Sequence, residues 1–78
     1  MRNPPYPKQL VYLLTYIVGR GQKHDPEMMD VVADGAEAIR LAFEHDNIPY
    51  GMRIMVCAVL LLDAITEFDK QLAAETVQ

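Results

Sequence analysis

Ile54-Met55-Val56-Cys57-Ala58-Val59-Leu60-Leu61-Leu62 is an unbroken apolar run inside the segment Met52–Leu72, and its period decides the fold. Read at 3.6 residues per turn, one stripe passes through the segment: Ile54, Ala58, Leu61, Ile65, Phe68, Leu72. The alternation of four and three keeps a single face turned toward a core. No Gly or Pro interrupts the segment after Met52, and Leu, Met and Ala are good helix formers. The two halves of this helix differ. Beyond Ile65 the off-stripe residues Thr66, Glu67, Asp69, Lys70 and Gln71 make an ordinary solvated face. Before Asp63 nearly every direction is apolar: Met55, Val59 and Leu62 form a second stripe, with Val56, Cys57 and Leu60 between them. A helix that is apolar all round must be covered all round. Two neighbouring helices do not achieve that, so a second chain is expected against the flank Met55, Val59, Leu62. The run is shorter than the roughly 20 residues of a membrane span.

Working toward the N-terminus, His45-Asp46-Asn47-Ile48-Pro49-Tyr50-Gly51 reads as a turn, with Asn47 and Pro49 as breaking signals. Before it lies a segment with a clear helix start: Asp25 suits the N-cap, Pro26 the first helical position, and Glu27 the positive end of the dipole. Its apolar stripe is Met29, Val32, Ala36, Ile39, Phe43, flanked by the smaller Val31, Gly35, Ala38 and Ala42. Gly35 costs helix stability, so a close helix crossing is expected there. The opposite side carries Glu27, Asp30, Asp34 and Glu37, with Glu44 further along.

Gly19-Arg20-Gly21-Gln22-Lys23-His24 reads as a loop, with Gly19 ending a first helix near 7–18. The GxG inside it lacks the preceding strand and the following GK[ST] of a phosphate loop. In that first helix Leu10, Leu13, Leu14 and Ile17 share a face, while Tyr12 and Tyr16 lie one turn apart and are candidate interface residues. Residues 1–6 form a proline-rich extended arm, and Pro7 is suited to the first helical turn. Pro4 and Pro7 satisfy a bare PxxP, a pattern of little specificity where prolines cluster.

The expected architecture is therefore all-α: residues 1–78 as a single small three-helix bundle, with helices near 7–18, 25–45 and 49–74, completed by dimerisation. A chain of 78 residues sits near the small end for an autonomous domain, and a hydrophobic share of 51% excludes global disorder. A net charge of −4 gives no footprint for direct nucleic-acid binding or for an anionic membrane. Cys57 is the only cysteine, so no intrachain disulfide forms, and its apolar setting marks it as a small buried hydrophobe. With no apolar leader in the polar, proline-rich opening, this points to the cytoplasm.

Chemistry finds little to work with. His24-Asp25 and Glu44-His45-Asp46 stand at opposite ends of the second helix and cannot share an ion. The chain has no serine, and Cys57 is remote in sequence from both histidines. No catalytic, cofactor or metal residue is assigned, and no enzyme is expected. The expected function is a small interaction module, an adaptor or regulator, working as a homodimer through Tyr12, Tyr16, Met55, Val59 and Leu62 or binding another protein through those faces. The alternative is an acidic inhibitor whose carboxylates (Glu27, Asp30, Asp34, Glu37, Glu44) imitate phosphates and occupy a basic nucleic-acid-binding groove.

Overall fold

A computed structural model describes residues 3–76, all of whose regular structure is helical: α1 (Lys8–His24), α2 (Pro26–His45) and α3 (Tyr50–Thr76). The chain divides into two units, one ending at Ile48 and one beginning at Pro49. Met1 and Arg2 of the expected arm lie outside the described residues, as do Val77 and Gln78.

In the first unit, α1 does not stop at Gly19. It continues through Gly19 and Gly21 to His24, and neither glycine takes a positive φ. What ends the helix is Pro26. A residue preceding proline is pushed out of the α region, and Asp25 sits at φ −149°, ψ 78°. Asp25 then serves both helices. Its backbone N–H donates to the Gly21 carbonyl at 2.9 Å, capping α1. Its carboxylate accepts from the Met28 N–H at 3.1 Å, capping α2, with Pro26 in the first turn as expected. One residue therefore joins the two helices. Close to this junction the two helices meet at Gly21, where an added Cβ would lie 2.7 Å from the Met29 Sδ. The crossing expected at Gly35 is absent: open space surrounds its missing Cβ.

The start of α1 also differs from expectation. Pro7 is the N-cap, extended at φ −74°, ψ 151°, and its carbonyl accepts from Leu10 at 3.0 Å. The chain bends at Pro5 and Tyr6 just before it.

The end of α2 is a Schellman motif. Asn47 takes the left-handed conformation (φ 56°), which asparagine tolerates better than most residues. Its N–H donates to the Glu44 carbonyl at 3.1 Å, and the Ile48 N–H reaches back to Phe43 at 2.9 Å. Phe43 and Ile48, the pair whose apolar contact usually accompanies this motif, are both partly buried. Pro49 follows, and its carbonyl accepts the Arg53 N–H at 3.0 Å as α3 begins.

The second unit contains α3 alone among the helices. It runs to Thr76, two residues past the expected end near residue 74, without a break.

Helix α1 carries two glycines in different surroundings, and this is testable. Gly19→Ala meets nothing within 4 Å and is expected to stabilise the helix by about 1 kcal/mol. Gly21→Ala must displace the Met29 side chain and is expected to gain less or to lose stability. Circular dichroism during urea unfolding reads both, and equal gains would contradict the α1–α2 contact.

Candidate interaction surface

Along α3, Met55, Val59 and Leu62 fall on one flank as their spacing requires, and all are exposed, Leu62 at 68%. The stripe beside them was expected to face a core, and the structure corrects this. Of Ile54, Ala58, Leu61, Ile65, Phe68 and Leu72 only Ile54 is partly buried, while Phe68 remains 58% exposed. Cys57, expected inside, is exposed as well. The cause is simple: α3 has no second helix in its own unit to pack against.

The same holds, less completely, for the first unit. Leu10, Met29 and Phe43 are partly buried, but Leu13, Leu14, Ile17, Val32 and Ile39 are exposed. No described residue is buried. Tyr12 and Tyr16 share a face of α1, and Tyr12 is 77% exposed. Tyr16 is held along the helix by Arg20, whose Nη1 donates to the phenol oxygen at 3.3 Å and whose guanidinium lies 5.7 Å from the ring centre. The two tyrosines belong to one unit and the α3 flank to the other. Beside the tyrosines lies a shallow open depression on α1, lined by Leu14, Thr15, Val18, Gly19 and Gln22, with the glycine as its notch.

Two threonine hydroxyls on these helices are satisfied locally. The Thr66 hydroxyl donates to the Leu62 carbonyl at 2.8 Å, and Thr15 donates to Val11 at 2.7 Å. Such back-bonded hydroxyls do not need water, so a partner can cover these two threonines without orphaning their donors.

The acidic face is exposed but not uniformly acidic. Arg40 lies one turn from both Glu37 and Glu44 and bonds to each. Its Nε donates to Glu37 Oε2 at 2.9 Å, its Nη2 donates to Glu37 Oε1, and its Nη1 donates to Glu44. The stripe therefore presents Glu27, Asp30 and Asp34 beside a partly neutralised cluster of Glu37, Arg40 and Glu44. The i, i+3 and i, i+4 spacing of these three residues was readable in the sequence, as was Tyr16–Arg20. At the helix ends, His45 Nδ1 lies 3.2 Å from Asp46 Oδ1. Among the described residues no three His, Cys, Asp or Glu side chains gather as metal ligands, and no helix is long and apolar enough to cross a membrane.

Comparison with protein-family models, curated proteins and solved structures finds no match to this chain.

The Arg40 fork sets an electrostatic expectation. Its hydrogen bonds, and secondarily its charge, hold the Glu37 carboxyl below its ordinary 4.5. A depressed folded value means the pair supports α2 above the ordinary glutamate range and loses that support as pH falls through the lowered value. An NMR pH titration is expected to place the Glu37 midpoint below 4.5, and Arg40→Gln is expected to raise it. A midpoint that ignores the substitution would show that the fork does not persist in solution.

Proposed function

We propose that this chain is a small protein–protein interaction module, an adaptor or regulator, that works as a homodimer through its apolar helix faces. One observation carries the reading: no described residue is buried, although long apolar stripes run along all three helices. Fixing a residue's backbone costs about 1–2 kcal/mol of conformational entropy, and burial of apolar surface is the main term that offsets it. A large aliphatic or aromatic side chain left half exposed forgoes roughly 1 kcal/mol of that term. Helices in water are marginal without such packing. Folding that depends on a partner's surface is the expected consequence, and it is the condition in which association and function coincide.

The α3 flank Met55, Val59 and Leu62 is the favoured contact, with Tyr12 and Tyr16 of α1 as a further apolar surface carrying polar tips suited to an interface rim. The acidic face is secondary in this reading, because Arg40 already ties two of its five carboxylates.

The test is the solution mass together with thermal unfolding at several protein concentrations. The melting temperature is expected to rise with concentration, as it does whenever assembly stabilises the fold. Leu62→Asp or Val59→Asp is expected to weaken self-association at least about tenfold, since each buries a charge in an apolar contact. Charge reversal at Asp30 and Asp34 is expected to leave it nearly unchanged. A well-folded monomer whose melting ignores concentration would remove the homodimer from this reading.

A further inference from the structure

The stripe on α3 is not only uncovered; it is arranged to be covered by itself. Ile54, Ala58, Leu61, Ile65, Phe68 and Leu72 alternate four and three through the helix, the a/d pattern of a two-helix seam. Laid antiparallel on a second copy about a two-fold axis at Asp63, each residue meets the one equally far on the other side. Ile54 then faces Leu72, Leu61 faces Ile65, and Ala58 faces Phe68. The smallest residue of the seam opposes the largest, the large-against-small alternation that fills a helix interface without voids or clashes. A parallel pair in register does the reverse: it sets Phe68 on Phe68 and leaves a gap between two alanines.

Charge points the same way. From Tyr50 to Leu62 the only charged residue of α3 is Arg53, whereas beyond Asp63 come Glu67, Asp69, Lys70 and Glu75, a net −2. An antiparallel pair sets the acidic half of one copy beside the half of its partner that carries Arg53, and it opposes the two helix dipoles. A parallel pair sets the acidic halves side by side. Glu67 and Lys70 pair at 3.2 Å off the seam, on the side that stays in water.

We propose that α3 pairs antiparallel with α3 of a second copy in a register centred on Asp63, through the stripe Ile54–Leu72. This rests on the reading of the chain as a self-associating module and gives that module its symmetry. Met55 and Leu62 of the flank then border the seam, with Val59 one step further out, and the Leu62 residues of the two copies extend the contact at its centre, close to the axis.

Two measurements on the full chain test it. In a Cys57→Ser background, a nitroxide on Gln71→Cys reports the distance between copies, with light scattering on the same sample. Residue 71 lies eight positions from the axis, so the antiparallel register separates the labels by about 24 Å along the helices at 1.5 Å per residue. With the helix spacing of about 10 Å added in quadrature, the expected distance is about 26 Å. A dimer with labels at roughly 10–15 Å, the helix spacing with the label arms, would overturn the antiparallel register and leave the homodimer standing. A monomeric mass would overturn pairing with a second copy altogether, and the homodimer with it.

The second measurement exchanges sizes. Ala58→Phe alone overpacks the site opposite Phe68 and is expected to weaken dimerisation about tenfold or more. Adding Phe68→Ala restores a small–large pair only in the antiparallel register, so the double variant is expected to recover to within a few-fold of the original. A double variant weaker than either single change would overturn the register even if both fold.

Discussion

The requirement that apolar side chains leave water governs this chain more than any single bond within it. Its local geometry is well satisfied: α2 is capped at both ends, threonine hydroxyls are bonded back to carbonyls, and the described arginines are paired with acids or laid over tyrosine rings. What the helices lack is a core. A hydrogen bond made in place of one to water contributes on the order of 1 kcal/mol net, too little to hold separate helices against their conformational entropy. In the proposed reading the missing term comes from contact with a second copy, and α3 is alone among the helices in its unit.

Against that demand, the connections between helices are economical. Asp25 closes α1 with its backbone and opens α2 with its side chain, so the linker is one residue long. The N–H groups of Asn47 and Ile48 both donate back to α2 carbonyls and close the helix before Pro49 releases the chain into α3. Both junctions place a proline immediately after the residues that must leave the helical region. These are strong local signals, and they hold whatever covers the apolar faces.

Several residues changed meaning once coordinates were available. Gly19 and Gly21 suggested a loop, because glycine so often ends a helix. Pro26 proved the stronger signal, since it forbids the α conformation to the residue before it while glycine merely disfavours helix. Gly35 suggested a close crossing, whereas the close approach is at Gly21 against Met29. Nothing in composition separates these two glycines, because the difference is which one lies near the turn where α1 and α2 meet. The acidic stripe was visible as a row of carboxylates, but its partial neutralisation depended on noticing Arg40 between Glu37 and Glu44.

The sequence by itself determined the helical class, the three segments, the Asp25 cap, the turn at Asn47 and the apolar stripes, because each arises from neighbours within about four residues along one helix. It also carries the size and charge pattern of α3, which reads the same way for any helix. Only the tertiary structure decided that α1 and α2 meet at Gly21 and that the α3 stripe and Cys57 stay exposed. Exposure depends on what lies across from a side chain, often far away in the chain, and periodicity names the face to be covered without naming what covers it.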